Sequence, residues 1–286
     1  LSTATIGNHM INKENTKPFG TLWIAATTLY DPQDIPPRSL ELMRTCPFLV
    51  FEEDKRARQF LKAAQVHRQW MRYTEQREAF TLEELERELR AGNDALYMSD
   101  QGTPGLADPG RDLVNVAYRI GAPVRCVPGP SSLTAAISVC PFDCKRFEFA
   151  GFPPREESER EDFIRARLNQ TWPVVIFETP YRMNVFFETL AKVFQGSPRR
   201  VFVALDISGP NESFIVGTAE DTRKKINALS ENLNFVAIIE GNGIESRSPR
   251  GNHKPTRTVQ KPFSGTSARK HGGKHFKPRQ RSSNRR

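Results

Sequence analysis

The sequence predicts an α/β fold in two parts: a parallel-sheet N-terminal domain, then a mixed-sheet C-terminal domain, followed by a basic tail. Three observations carry this. From residue 20 to about 140, short continuous apolar runs alternate with segments of helical period, the pattern of a parallel sheet covered on both faces. After about residue 145 the pattern changes, and "RRVFVALDI" and "ESFIVGTAE" follow each other closely, as in an antiparallel hairpin. The charge is also uneven. The chain carries 42 Lys/Arg and 33 Asp/Glu, yet residues 245–286 alone hold 13 basic residues and one acid, which leaves the remaining 244 residues at −3. The expected boundaries are a disordered leader over 1–18, domains over 19–145 and 146–244, and a disordered tail over 245–286.

In chain order, "TLWIAATTL" reads as a strand and "DIPPRSLELMRTC" as a helix. "PFLVFEED" is a second strand, followed by the helical "KRARQFLKAAQ". "TLEELERELRAG" is a strong helix, with Thr81 in the position of an N-cap, Glu84 three residues on as in a capping box, and Gly92 at its end. "DALYMSD" is a strand, "RDLVNVAYRIG" a helix closed by Gly121, "PVRCVPG" a strand and "SSLTAAISVC" a helix opened by serines. In the second part, "RFEFAGF" is a strand, "PPREESERE" a charged loop, "PVVIFET" a strand and "YRMNVFFETLAKVF" a helix. The hairpin, the helix "AEDTRKKINALS" and the strand "NFVAIIEG" complete it.

Composition excludes several classes. No window approaches the run of about 18 apolar residues that spans a bilayer, and residues 1–20 lack the apolar core of a secretory signal. The four cysteines (Cys46, Cys126, Cys140, Cys144) lie in apolar segments without a second metal-ligand pair, so they read as buried, reduced thiols in a cytoplasmic protein, and no metal site is expected. His67 has no partner for chemistry. The tail is rich in Gly, Pro, Ser, Lys and Arg and has almost no aliphatic residues, so it cannot bury enough surface to order itself. It reads as an RNA-binding arm, with a solubilising tail as the alternative.

The chemistry concentrates in "SDQGTPGLADPG", residues 99–110, where a strand gives way to a helix. Three Gly, two Pro and two Asp stand in these twelve residues. Glycine permits close backbone approach and proline fixes the loop in advance of binding. A second such turn, "PGPSS" at 128–132, also joins strand to helix. In open α/β sheets, ligands bind beyond the carboxyl ends of the strands, where both turns sit. No G-x-G-x-x-G, G-x4-G-K-[ST], G-x-S-x-G or H-E-x-x-H is present.

These residues resemble the S-D-A-G-T-P-x-x-x-D-P-G signature of the tetrapyrrole (corrin/porphyrin) methylase superfamily. More closely, the chain resembles its ribosomal RNA small subunit methyltransferase I branch. "VFEEDKR" is similar to that branch's A-E-D-T-R, "VPGPSSLTAAI" to P-G-P-S-A-L-x-x-A-L, "FAGFPPRE" to G-F-L-P-R-K and "VIFETPYR" to F-Y-E-S-P-H-R. "NFVAIIEG" matches its closing strand. The match runs in order over roughly residues 20–242. It departs where the branch has T-P-I-G-N, here "AATTLYDPQDI", and where it has Y-H-E-H-N-E, here "YTEQRE". Lys55 and Tyr181 replace Thr and His, and "ALDISGPNESF" replaces A-R-E-L-T-K-x-H-E-E.

The resemblance implies methylation of the ribose 2′-oxygen of a cytidine in small-subunit (16S) ribosomal RNA, with S-adenosylmethionine as cofactor, by a homodimer that does not engage membranes. It places the cofactor against Asp100, Gly102, Thr103, Pro104, Leu106 and Asp108 on one wall and Gly129, Pro130, Ser131 and Ser132 on the other. Asp108, before Pro-Gly, equally suits a residue that organises its own turn. Asp54, Lys55 and Glu178 are the candidates for catalysis, and Arg56, Arg58 and Arg182 for RNA phosphates. Glu178 and Arg182 alternatively pair with each other. Two other readings stay open: a small-molecule, tetrapyrrole-like methylase, and a non-catalytic RNA-binding or ribosome-assembly factor that retains the fold.

Overall fold

The computed structural model describes residues 18–106 and 108–243. The leader and the basic tail singled out above lie outside the described residues, apart from Pro18. Two five-stranded sheets organise the rest.

The first sheet is parallel throughout. Its strands are β1 (Leu22–Ala25), β2 (Phe48–Phe51), β3 (Met71–Arg72), β4 (Ala95–Met98) and β5 (Val124–Val127), in the order β3-β2-β4-β1-β5. Ala95 of β4 aligns with Leu22 of β1 on one side and Phe48 of β2 on the other, so these three strands run in step. Parallel strands need crossovers. These are α1 (Pro37–Thr45), α2 (Asp54–Ala63), α3 (Glu78–Arg90) and α4 (Arg111–Ile120). One face buries Trp23, Leu49, Phe51, Leu96 and Met98 with Met43 and Phe60 of α1 and α2. The other buries Leu22, Val50 and Tyr97 with Leu85, Leu89, Leu113 and Val116 of α3 and α4. Burial on both faces explains why these strands read as unbroken apolar runs.

The second sheet is mixed. Its strands are β6 (Glu148–Gly151), β7 (Val174–Glu178), β8 (Arg200–Leu205), β9 (Ser213–Thr218) and β10 (Phe235–Ile239), in the order β6-β7-β10-β8-β9. Only β6 and β7 pair in parallel, with a register shift between Phe149 and Gly151. The last strand among the described residues, β10, is central and antiparallel to both neighbours. The hairpin read from the sequence is β8–β9, with Arg200 opposite Thr218. Helices α6 (Glu157–Arg165), α7 (Met183–Val193) and α8 (Ala219–Asn227) belong to this part. Their buried residues, among them Ile164, Phe186, Phe187, Leu190 and Ile226, cover one face of the sheet. Helix α5 (Ser132–Val139) leaves the first sheet and packs Ala136 against the other face, beside Phe202, Ala204 and Val236.

Several local expectations are corrected. Thr81 does not cap α3, which starts three residues earlier. Thr81 is fully buried, and its hydroxyl donates to the Arg72 carbonyl at 3.4 Å. The "PPREESERE" loop is helical from Glu157, and Glu156 caps α6 by accepting from Glu159 N at 3.0 Å. The first strand spans only Leu22–Ala25, because Thr27 and Thr28 turn to meet residue 102. Of the cysteines only Cys46 is buried; Cys126 is exposed, and Cys140 and Cys144 are half-buried. Gly92 and Gly121 do end their helices in left-handed conformation, at φ 83° and 77°.

The turn after β5 is set by contact. A Cβ on Gly129 would lie 2.6 Å from Ala26 Cβ and 2.7 Å from Pro36 Cγ. The turn therefore sits directly on the end of β1 only because this residue has no side chain. Gly129→Ala is expected to destabilise the protein by about 1–3 kcal/mol through overpacking, read as a lowered denaturation midpoint at unchanged denaturant slope.

Candidate functional site

A cavity of about 250 Å³ opens beyond the carboxyl ends of the first sheet and is walled on its far side by the second. Leu29, Gln101, Gly102, Thr103, Leu106 and Asp108 come from the first sheet's loops, with Ser131 and Ser132 from the start of α5. Phe152, Phe177, Glu178, Thr179 and Pro180 come from the ends of β6 and β7, and Asp206, Ile207, Asn234, Phe235 and Val236 from the β8 end and the start of β10.

The two turns are tied together by backbone. Gly102, at φ +71°, donates its N–H to Thr28 O at 3.0 Å and accepts from Thr27 N at 2.8 Å. A Cβ there would press on Leu29 Cδ2 at 3.2 Å and Pro130 O at 3.3 Å. The Thr103 hydroxyl donates to Pro130 O at 2.9 Å, which links the loop after β4 to the turn after β5. Neither Ser131 nor Ser132 spends its hydroxyl on the protein among the described residues, although Ser131 stands at the N-cap of α5. Both hydroxyls and the positive end of the helix dipole are left to the cavity.

Among the described residues the lining holds three carboxylates, Asp108, Glu178 and Asp206, and no lysine, arginine or histidine. Burial raises the Asp108 carboxyl above its ordinary range, against a hydrogen bond from Ser99 that lowers it. The Glu178 side chain is fully buried; Oε1 accepts from Thr179 N at 2.7 Å. Its Oε2 lies 3.0 Å from Arg182 Nη2 but accepts no aligned hydrogen bond. Arg182 Nη2 also donates to the carbonyls of Pro153 and Pro154. Arg182 thus pairs with Glu178, one of the alternatives raised above, and its Nη2 joins two loops.

The other candidates separate. Asp100 accepts from Glu53 N at 3.2 Å and, like Pro104, Gly129 and Pro130, supports the loops without lining the cavity. Asp54 accepts from the Trp70 indole at 3.0 Å and borders a different hollow; Lys55 is exposed and lines neither. Arg56 and Arg58 project from α2, Arg56 toward Gln59 and Arg58 over the Trp70 ring.

Residues 21–223 match the tetrapyrrole (corrin/porphyrin) methylase family. The chain belongs to that family. Among its relatives are proteins named ribosomal RNA small subunit methyltransferase I. The one from Xylella fastidiosa (strain Temecula1) is 32% identical over 78% of this chain and 82% of its own. The one from Leptospira borgpetersenii is 29% identical over 83% of this chain and 95% of its own. The fold is shared with the crystal structure of uroporphyrin-III-C-methyltransferase from Thermus thermophilus, with a TM-score of 0.54 at 15% identity over 77% of this chain and 94% of that one. In this member of the methylase family, as the fold requires, the cavity lies at the carboxyl ends of the parallel strands.

Sequence reasoning missed Asp206, Asn234, Phe152 and Phe177, which reach the cavity only through the second sheet. It also missed Glu52, two residues before the proposed Asp54. Glu52 Oε1 is hydrogen-bonded by the Tyr97 hydroxyl, which also reaches the Pro109 carbonyl of the D-P-G turn. That hydroxyl has one proton, and a carbonyl only accepts. When Tyr97 donates to Pro109, the contact with Glu52 needs a proton on the carboxyl. Burial, together with the Asp108 and Asp100 charges, pushes Glu52 up to about 7 even against the Tyr97 bond. A glutamate directly after the apolar run Phe48–Phe51, at that strand's carboxyl end, was the available signal.

Between the ordinary glutamate value, about 4.3, and about 7 the folded chain holds this proton while the unfolded chain has lost it. Stability therefore falls as pH rises through this window. Glu52→Gln, which mimics the protonated carboxyl, is expected to be more stable than the parent above pH 7, by at most about 4 kcal/mol. The gap should close toward pH 4. Denaturation midpoints across this range, in both proteins, check it.

Proposed function

We propose that the cavity binds S-adenosylmethionine and that the protein methylates the ribose 2′-oxygen of a cytidine in small-subunit ribosomal RNA. The observation that carries the cofactor is the lining itself: among the described residues, three carboxylates without a basic side chain, beside two glycine-proline turns and a helix N-terminus. A cavity of this charge disfavours phosphorylated cofactors and suits a cationic one. The apolar set of Leu29, Leu106, Ile207 and Val236 offers a surface for an adenine ring. Ser131, Ser132 and the α5 N-terminus suit a carboxylate. The acceptor rests on the names of the relatives and on the resemblance read from the motifs. Cytoplasmic location and a homodimeric assembly belong to the same reading.

S-adenosylmethionine supplies an electrophilic methyl group on a sulfonium. The protein's part is alignment, since in-line displacement depends on holding both reactants. The loop joined through Gly102 and Thr103 gives one wall that needs no reorganisation. Glu178 Oε2, buried and without an aligned hydrogen bond, is the atom we assign to take the acceptor hydroxyl's proton. Arg182 holds that carboxylate in place through its ties to the Pro153 and Pro154 carbonyls.

Calorimetry with S-adenosylmethionine and its neutral-sulfur product, S-adenosylhomocysteine, tests the cofactor. Asp108→Asn is expected to weaken the cation about tenfold, roughly 1.4 kcal/mol, and the product less. Equal losses would remove charge selection from the site. Glu178→Gln is expected to lower turnover about 10²-fold or more, as loss of a general base does, while cofactor affinity stays within a few-fold. Mapping ribose methylation in ribosomal RNA from cells with and without the gene decides the acceptor.

A further inference from the structure

A second hollow, of about 460 Å³, lies at the carboxyl ends of β2 and β3, on the same edge of the first sheet as the cavity but at its outer side. Its floor is Trp70. The indole is fixed by donating to Asp54 Oδ1 at 3.0 Å, and the Arg58 guanidinium stands 5.9 Å from the ring centroid. Arg72, which pairs in register with Phe51, donates from Nε to the Glu52 carbonyl at 3.2 Å and faces Asp54 at 4.0 Å. Gln69, Gln76 and Arg77 complete the wall. All three are exposed, and among the described residues none of their side chains has a protein partner.

The donor set defines the class of ligand. Two guanidinium groups suit phosphate, two amides can both donate and accept along a base edge, and an indole gives a stacking or edge surface. Among the described residues Trp70 is the hollow's only apolar wall, which is too little for the apolar centre of a protein interface. Among the described residues no group of three or more His, Cys, Asp or Glu could hold a metal ion.

Position links this hollow to the cavity. Strands lie about 4.8 Å apart, so β3 is about 10 Å from β4, whose loop lines the cavity. An extended RNA strand covers that distance with the residues next to its reacting nucleotide. Glu53 joins the two places directly, since its N–H is bonded to Asp100 of the cofactor loop while the next residue, Asp54, borders the hollow.

We infer that the hollow between Trp70, Gln76 and Arg77 is a subsite for a nucleotide of single-stranded RNA flanking the one that is methylated. The inference rests on the RNA-methyltransferase reading. Arg77 and Arg72 take its phosphate, Gln69 and Gln76 meet its base edge, and Trp70 forms the wall.

The test uses the full chain and a labelled single-stranded RNA oligonucleotide containing cytidine. Binding is followed by anisotropy at several salt concentrations, and Trp70 emission by comparison with Trp70→Phe. The double variant Gln76→Ala/Arg77→Ala changes only exposed side chains; a thermal melt checks its fold. Its RNA affinity is expected to fall about tenfold, and its slope of log affinity against log salt to flatten by about 0.7 for the lost phosphate contact. S-adenosylmethionine affinity should be unchanged. RNA should quench emission in the parent more than in Trp70→Phe. If the parent binds RNA but the double variant keeps its affinity, slope and quenching, the hollow is off the RNA path and the inference falls while the methyltransferase reading stands. If the parent binds the cofactor but not the RNA, the RNA reading falls and takes the subsite with it.

Discussion

Gly102 is gripped from three directions. Its N–H and carbonyl continue the β1–β4 pairing past the ends of those strands, through Thr28 and Thr27, and its bare Cα faces Pro130. This forces the loop after β4 and the turn after β5 into one rigid wall. Thr103 adds the hydroxyl bond to Pro130, and Gly129 brings the second turn down onto Ala26 and Pro36. A side chain at either glycine would separate turns that the cavity needs side by side. The constraint is steric, so it acts before any ligand arrives, and the entropy of ordering the loops is met in folding rather than in binding.

The electrostatics of the region follow from that wall. Strand ends gather acids because Glu52, Asp100 and Asp108 all close parallel strands or the loops after them. Burial raises all three above their ordinary range. Tyr97 moderates the crowding by joining Glu52 to the Pro109 carbonyl, and its ring occupies the space left by Gly110, where a Cβ would come within 2.6 Å of Cε1. The D-P-G turn is therefore held by a buried phenol and by the absence of a side chain, not by Asp108 alone.

The second sheet contributes differently. Its walls reach the cavity from strand ends and from a loop with two non-glycine residues in left-handed conformation, Asp206 at φ 46° and Ser208 at φ 67°. Ser208 donates to Asp34 and lies 3.4 Å from Asp31 N, so this loop is bound to the turn that follows β1. That contact ties together two loops whose neighbouring residues, Leu29, Tyr30, Asp206 and Ile207, line the cavity. Such conformations cost energy outside glycine and persist where the surroundings hold them.

The sequence by itself determined the parallel and mixed sheets, the hairpin and the position of the two glycine-proline turns, because strand burial, helix period and Gly-Pro spacing are local signals. It also marked Gly102, Thr103, Leu106, Asp108, Ser131 and Ser132, all of which line the cavity. It could not determine that Glu178 faces the same space while Asp54 turns to Trp70, since both are acids at strand ends, and only the tertiary structure puts the end of β7 in the second sheet at the cavity and the end of β2 in the first sheet beside the outer hollow. Nor could it place the first turn of α3, where the burial of Thr81 against β3 overrides a capping pattern. Asp206, Asn234 and Phe177 are cavity residues because β10 lies between β7 and β8. Their proximity depends on pairings between segments far apart in sequence, and those are settled by the packing of the whole sheet.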